Sequence, residues 1–267
     1  MSQPTNSKSK TTQWQLIQLA MSFLTRIPMP IRFTVTNSHL NKASRYFALV
    51  GLILGLLLAL IYSVFVMLLP ASLSVILMMA LGLLLTGAFH EDGWADVWDG
   101  FGGGWQVKQK LSIMKDSRLG TYGAAALFII LLIKYQALVL LSESFSTVLI
   151  AILLGQCLSR VVATSLIVSM DYVSEDTTSK VKPIAMHLSF KSLMTLILTG
   201  VILLLLLIVF NLIALQTAII IVAVLLILRS ILIRWFKYQL GGYTGDCLGA
   251  AQQVSEVAIY LTMVSLL

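Results

Sequence analysis

Long apolar runs constrain this chain more than any other feature of its sequence. The hydrocarbon core of a bilayer is about 30 Å thick, so a helix that crosses it needs roughly 20 apolar residues. Six segments qualify: 47–69, 71–89, 122–141, 147–170, 193–210 and 212–233. Charged residues make up only 11% of the 267 residues, whereas a soluble domain has roughly 25%. The sequence therefore predicts an all-α, polytopic integral membrane protein and excludes a soluble one.

Two further segments are apolar but less regular. Segment 245–267 is long enough to span, yet it carries four polar or charged residues: Asp246, Gln252, Gln253 and Glu256. It either crosses the bilayer or lies partly in a polar cavity. Residues 14–30 are a shorter stretch that ends in two prolines, which favours an interfacial or re-entrant helix. We thus expect about six to seven transmembrane helices in one domain, 47–267, after a cytoplasmic N-terminal tail, 1–46.

The positive charges indicate how the helices are oriented. Lys and Arg residues occur before the first span, between spans two and three, between spans four and five, and after span six. The intervening turns, near Pro70, 142–146 and 211–216, carry none. The positive-inside rule predicts that the N-terminus and the charged loops face the cytoplasm, including two candidate catalytic loops, 90–121 and 234–250. The net charge of +7 reflects topology and contact with anionic membrane lipid, not nucleic-acid binding.

An acidic segment follows the second span. Asp92, Asp96 and Asp99 are spaced i, i+4, i+7, so on a helix they fall within about 60° of one another. Carboxylates on one stripe repel each other, and a hard divalent cation such as Mg²⁺ is the expected partner, usually with a phosphate. The alternative is a set of solvated aspartates, which does not predict the stripe. His90, at the start of the same helix, is a candidate hydrogen-bonding residue.

A cationic block precedes the third span. Lys115 and Arg118 are spaced i, i+3 and offer donors for phosphate oxygens. Asp116 either pairs with Arg118 or joins the metal. Gly120 and Gly123 would free the backbone for a turn that cradles phosphate. Opposite an acidic stripe, this block is typical of the cationic half of a diphosphate site.

The last apolar segment begins in a glycine-rich block that contains Gly242, Thr244, Gly245 and Asp246. A helix N-terminus there would attract an anion. Asp246 is either a simple N-cap or a ligand, and the cost of a carboxylate that leads into an apolar segment favours function.

Three basic residues lie in or near apolar segments. Arg26 stands beside Pro28 and Pro30. It either anchors the chain at the membrane interface or belongs to a binding site. Arg160 and Lys134 fall inside predicted spans and should face a cavity or a partner.

These blocks, in this order, resemble the cobalamin synthase family, the adenosylcobinamide-GDP ribazoletransferases. The matching residues are Thr25-Arg26-Ile27-Pro28 and Pro30; His90-Glu91-Asp92-Gly93, Ala95-Asp96 and Asp99-Gly100; the run from Ile113 to Thr121 and Gly123; Ser159-Arg160; Gly241-Gly242, Thr244-Gly245-Asp246 and Leu248-Gly249-Ala250-Ala251.

The resemblance implies a Mg²⁺-dependent transferase of the bacterial inner membrane. It would join adenosylcobinamide-GDP to α-ribazole, or to its 5′-phosphate, and release GMP. The catalytic residues would be Asp92, Asp96, Asp99, Lys115 and Arg118, with Asp92 a candidate to accept the hydroxyl proton. The metal ligands would come from Asp92, Asp96, Asp99, Asp116 and Asp246. Substrate would contact Arg26, His90, Arg160, Gly242, Thr244 and Gly245. Whether the chain forms a homo-oligomer stays open.

Two other functions compete with this one. A CDP-alcohol phosphatidyltransferase also uses several aspartates, but its pattern places Arg after the alanine, where this chain has Asp96 after Ala95. A corrinoid carrier would need polar residues at the bilayer midplane and broken helices, whereas the carboxylates here cluster at one membrane face.

Overall fold

The computed structural model describes residues 11–173 and 185–267, and this part of the chain forms eleven α-helices. They are α1 (Gln13–Leu24), α2 (Asn37–Ala43), α3 (Phe47–Val66), α4 (Ala71–Thr86), α5 (Phe89–Gly103), α6 (Val107–Met114), α7 (Thr121–Leu141), α8 (Phe145–Ser165), α9 (Phe190–Val209), α10 (Leu215–Leu240) and α11 (Gly245–Val264). A single parallel bridge joins Tyr172 and Tyr243. The predicted all-α class is confirmed.

Five helical segments of the described chain are long and apolar enough to cross a membrane: Asn37–Val66, Thr121–Leu141, Phe145–Val168, Phe190–Val209 and Leu215–Leu240. The pair α4 and α5 adds a sixth if it is counted as one broken span. The predicted polytopic membrane architecture is therefore confirmed. Four basic residues of the predicted positive loops, Lys8, Lys10, Lys180 and Lys182, lie outside the described residues.

A sharp turn between α4 and α5 positions the acidic segment. Gly87 and Ala88 both adopt left-handed backbone conformations, with φ of +67° and +54°. Gly87 is the glycine that commonly follows the end of a helix. The last residue of α4 is Thr86, three residues before the predicted end of this apolar run. The axis of α5 is then bent by 87° from that of α4. As a result, α5 runs nearly perpendicular to α4 and lies against the first turns of α7 and α11.

Helix α11 lies in the middle of the bundle, where it packs against α5, α7, α8 and α10. Glycines permit these close contacts. A Cβ added at Gly93 of α5 would lie 2.9 Å from the Cα of Asp246, and one at Gly155 of α8 would lie 2.5 Å from the Tyr260 ring. Small residues at such positions let membrane helices approach closely. Gln252, Gln253 and Glu256 are buried, so segment 245–267 places them in a polar interior.

The helices before α3 belong to the same packing unit. Leu16, Leu19 and Leu24 of α1 are buried and join the hydrophobic core, and α1 packs against α2 and α3. Thr12 caps α1 by accepting a hydrogen bond from the Gln15 amide at 3.2 Å. The described part of 1–46 therefore forms one side of the bundle, next to α5.

Candidate active site

Three carboxylates from two helices meet at the end of the bundle where α5 lies against the first turn of α11. Asp92 and Asp96 lie on α5, and Asp246 lies in the first turn of α11. The helices meet because Gly93 lies against the Asp246 backbone. Asp92 is exposed, whereas Asp96 and Asp246 are half-buried. Residues 154 positions apart in the sequence thus form one group, which we call the acidic cluster.

The charges in the acidic cluster act on one another. Burial, followed by the charges of Asp246, Asp92 and Asp99, raises the pKa of Asp96 to about 7. Burial raises the pKa of Asp246 to about 6, and Asp92 contributes to the rise, while hydrogen bonds from Thr244 and from the backbone oppose it. Carboxylates that interact so strongly favour a bound cation, since a positive charge would relieve their repulsion.

The donor set of the acidic cluster fits a hard divalent cation in chemistry. Carboxylate oxygens are the ligands that Mg²⁺ prefers. Among the described residues, however, no three His, Cys, Asp or Glu side chains come close enough to form a complete metal-binding group. Mg²⁺ is commonly held by only one or two carboxylates together with the phosphate oxygens of a substrate, so the acidic cluster fits the ion by the chemistry of its oxygens and not as a preformed site with three ligands.

Asp99 is committed to a different contact. Its carboxylate accepts hydrogen bonds from the backbone amides of Gly120, at 2.7 Å, and Gly123, at 2.8 Å. A Cβ at either glycine would collide with this carboxylate. The two amides that the sequence suggested for a phosphate are therefore engaged by Asp99, which caps the N-terminus of α7 and ties it to α5.

The cationic block lies on the turn between α6 and α7. Arg118 is bound to Asp116 through its Nη2, which is 2.6 Å from Oδ2, and through Nε, at 3.0 Å. Hydrogen bonds from Arg118 lower the pKa of Asp116, which stays ionised. The Arg118 side chain is 88% exposed, and Lys115 is exposed as well. Of the two predicted roles of Asp116, the structure shows the pairing with Arg118.

A cavity of about 190 Å³ opens beside the acidic cluster, and we call it the acidic cavity. Asp92 and Asp246 line it, together with His90, Arg160 and Gly245. Arg160 is 2% exposed, and its Nε has no hydrogen-bond partner within the described residues. A buried donor without a partner is costly, so Arg160 is available for an anion in this cavity.

The remaining predicted substrate residues lie around this end of the bundle. Arg26 is exposed, with its side chain against the Gly87 turn and its amide bonded to the Leu85 carbonyl at 2.7 Å. Thr244 caps α11, and its hydroxyl accepts a hydrogen bond from the Cys247 amide. At Gly242, an added Cβ would collide with the Asp171 carbonyl oxygen. Gly242 and Thr244 thus shape the backbone that leads into α11.

Sequence reasoning missed a buried network of charges directly behind the acidic cavity. Lys134 of α7 lies 3.2 Å from Glu256 of α11 and 4.0 Å from Glu91 of α5. Gln253 accepts a hydrogen bond from Lys134 and donates one to Glu91, both at 2.9 Å. The sequence did signal single members of this network, since Lys134 and Arg160 fall inside predicted spans and Glu256 lies in a polar last segment. It did not indicate which of them pair, because the partners of Lys134 lie on other helices.

The same network continues to Arg160. Gln252 donates hydrogen bonds to Glu256, at 2.8 Å, and to Ser159, at 3.0 Å. Gln156 donates to Glu256 at 2.9 Å and accepts a hydrogen bond from Arg160 at 3.0 Å. Two carboxylates and two cations are therefore buried together with no net charge, and they hold Arg160 at the wall of the acidic cavity.

Comparisons with known proteins agree on one family. A family model described as cobalamin-5-phosphate synthase matches residues 16–264. Adenosylcobinamide-GDP ribazoletransferases from Shewanella frigidimarina and Shewanella piezotolerans are each 51% identical to this chain, over 95% and 94% of its length and 95% of theirs. The corresponding protein of Shewanella halifaxensis is 49% identical over 95% of this chain and 96% of its own. No solved structure matches the chain significantly.

Proposed function

The chain belongs to the cobalamin-5-phosphate synthase family, and on that premise we propose that the acidic cluster is the catalytic centre of a cobalamin-forming transferase. The enzyme joins adenosylcobinamide-GDP to α-ribazole, or to α-ribazole 5′-phosphate. The products are adenosylcobalamin, or its 5′-phosphate, and GMP. The observation that carries the proposal is the meeting of Asp92, Asp96 and Asp246 beside a cavity that also contains a buried arginine.

The reaction breaks the phosphoanhydride bond of the diphosphate and forms a phosphoester bond. A ribose hydroxyl oxygen of α-ribazole, one that is also free in α-ribazole 5′-phosphate, attacks the phosphorus attached to cobinamide, and the bond from that phosphorus to the GMP oxygen breaks. The hydroxyl proton passes to a base, and GMP leaves with the electron pair of the broken bond. The protein has to align the two oxygens and to offset the negative charge of the diphosphate.

The residues divide these tasks. Asp92 lines the acidic cavity, is exposed, and is the proposed acceptor of the hydroxyl proton. Asp96 and Asp246 are the proposed ligands of Mg²⁺, which supplies positive charge beside the phosphate oxygens when bound. Arg160 is the proposed donor to a phosphate oxygen, because its Nε lacks a partner among the described residues.

The exposed residues have more peripheral roles in the proposal. Lys115 and Arg118 would contact phosphate oxygens from the turn before α7. The site faces the cytoplasm of a bacterium, at the inner membrane, in agreement with the distribution of Lys and Arg along the chain.

Release of GMP tests the proposed function. The purified full-length protein in lipid nanodiscs receives adenosylcobinamide-GDP, α-ribazole and Mg²⁺, and GMP and the corrinoid product are measured together. We expect equal amounts of both, and neither when α-ribazole is left out. Transport of a corrinoid into vesicles without a covalent product would overturn the proposal in favour of a carrier. Transfer from a CDP-alcohol would favour a phosphatidyltransferase.

A further inference from the structure

The acidic cavity is lined by side chains of opposite character. Its lining includes the carboxylates of Asp92 and Asp246. It also includes three phenylalanines, Phe23 of α1, Phe47 of α3 and Phe89 of α5. We call these three rings the aromatic wall. A ligand with a flat apolar part and a polar part would match both kinds of side chain.

The rings of the aromatic wall are ordered with respect to one another. Phe23 stacks on Phe47 with ring centres 5.5 Å apart and planes 3° apart. Phe89 meets Phe23 edge to face, also at 5.5 Å. Phe47 is 7% exposed, whereas Phe89 is 42% exposed. Rings arranged in this way offer both faces and edges to another aromatic ring, and each such contact contributes beyond simple burial of area.

We propose that the aromatic wall binds the base of α-ribazole, with the ribose directed toward Asp92 and Asp246. This inference rests on the proposed function and adds a location for the second substrate. The base is a dimethylated benzimidazole, so it is flat and almost entirely apolar, and its sugar carries hydroxyl groups. One end of the molecule therefore matches the aromatic wall and the other end matches the carboxylates.

The other substrate contains two aromatic bases, guanine and the adenine of its adenosyl group, but neither suits this wall. Both carry hydrogen-bond donors and acceptors along their edges, and three phenyl rings would leave them unsatisfied. Burying polar groups without partners costs free energy. The same reasoning places the hydroxyl that attacks phosphorus near the carboxylates of the acidic cavity, next to the proposed proton acceptor.

Substitution of the aromatic wall tests this assignment. Phe89→Leu and Phe23→Leu each remove one ring and keep an apolar side chain. In nanodiscs with the full-length protein, we expect the KM for α-ribazole to rise about three- to tenfold in each variant, since one aromatic contact contributes that much affinity. The KM for adenosylcobinamide-GDP should not change. Phe128→Leu is the matched control, because Phe128 of α7 is 66% exposed and lies away from the acidic cavity.

The outcomes separate this inference from the proposed function. If the unsubstituted protein releases GMP but the KM for α-ribazole is the same in Phe89→Leu and Phe128→Leu, the subsite is wrong and the proposed function stands. Equal rises in both KM values also contradict the subsite. If the unsubstituted protein releases no GMP, calorimetric titration of α-ribazole into this protein and into Phe89→Leu still decides the question. Equal binding, or no binding to either, would reject the subsite.

Discussion

The chemistry of Asp96 follows from its neighbours. It lies among the charges of Asp92, Asp99 and Asp246, and its pKa is about 7 because of burial and of those charges. In the unfolded chain an aspartate ionises near pH 4. Because the folded-state pKa is higher, this group's contribution to stability is complete at low pH and is lost as pH rises from about 4 to 7. Asp246, with a pKa of about 6, acts in the same direction.

A cation bound by Asp96 and Asp246 should restore the stability that these carboxylates cost the folded protein at high pH. We expect Mg²⁺ to raise the Tm of the protein in nanodiscs at pH 8, where Asp96 and Asp246 are ionised. At pH 5.5 the same concentration should raise the Tm far less, because both side chains are largely protonated. Asp96→Asn should reduce the effect at pH 8, while Glu143→Gln, an exposed residue before α8, should not. Equal shifts at the two pH values would contradict a metal site at this cluster.

Asp99 has a structural task that can be measured separately. Asp99→Ala removes the buried carboxylate that accepts hydrogen bonds from the amides of Gly120 and Gly123. We expect a loss of about 1–3 kcal/mol in the free energy of unfolding, because two amides at the start of α7 lose their partner. Asp116→Ala, in an exposed ion pair, should leave the Tm nearly unchanged. Similar losses in both variants would contradict the capping role.

The sequence indicated the stripe of aspartates but not the different partners within it. Helical spacing places Asp92, Asp96 and Asp99 on one face, and α5 does begin and end near the predicted limits. Spacing does not tell which neighbouring helix faces each side chain. Asp99 meets the start of α7, whereas Asp96 faces the start of α11. That division depends on how three helices pack, which no local pattern encodes.

Four helices are tied together by the buried network behind the acidic cavity. Lys134 of α7 lies between Glu91 of α5 and Glu256 of α11, and Gln156 of α8 reaches Glu256. Ion pairs in an apolar interior are sensitive to the loss of one partner, since the remaining charge is left uncompensated. The network therefore fixes the positions of α5 and α11, which carry the acidic cluster.

Lys134→Met tests this function of the network. It leaves Glu91 and Glu256 buried without their cation, and we expect a loss of about 3–5 kcal/mol in stability. The double variant Lys134→Met with Glu256→Gln should recover part of that loss, because it removes one uncompensated charge. Lys108→Met, an exposed site on α6, is the control. A double variant less stable than Lys134→Met alone would contradict the pairing.

The contact between α5 and α11 should tolerate no added side-chain atom at Gly93. A Cβ at Gly93 would lie 2.8 Å from the Asp246 carbonyl oxygen, so Gly93→Ala must push the two helices apart. We expect GMP release to fall at least tenfold, since small displacements of catalytic groups cost about this much. Gly103→Ala, near the end of α5 with its nearest contact at 3.4 Å, should retain activity. Full activity in Gly93→Ala would show that this spacing does not matter.

The length of the apolar runs predicted the spanning helices of the bundle, because a membrane helix must be long, apolar and internally hydrogen-bonded. The position of α11 was not predicted, because its polar residues allowed either a membrane span or a segment in a polar cavity. The structure buries Gln252, Gln253 and Glu256 against α5, α7 and α8. Their partners are up to 162 residues away in the chain, so only the assembled bundle shows that these side chains satisfy one another.

The orientation of the entire bundle remains a prediction from charge. Lys108 lies at the end that carries the acidic cluster, and Glu143 lies in the turn between α7 and α8. Single cysteines introduced at these positions, Lys108→Cys and Glu143→Cys, should react with a membrane-impermeant maleimide from opposite sides, with position 108 on the cytoplasmic side. The native Cys157 and Cys247 are buried and serve as the unreactive background. Labelling of both positions from the same side would contradict the orientation.

The account depends most on the acidic cluster as the place where GMP is released. The direct measurement is the rate of GMP release by Asp96→Asn and Asp246→Asn, in nanodiscs and with Mg²⁺ present, relative to Glu143→Gln. Both aspartate variants should fold, as judged by their Tm, and should lose at least a hundredfold in rate, while Glu143→Gln retains the full rate. Near-normal release of GMP by a folded Asp96→Asn protein would contradict the account.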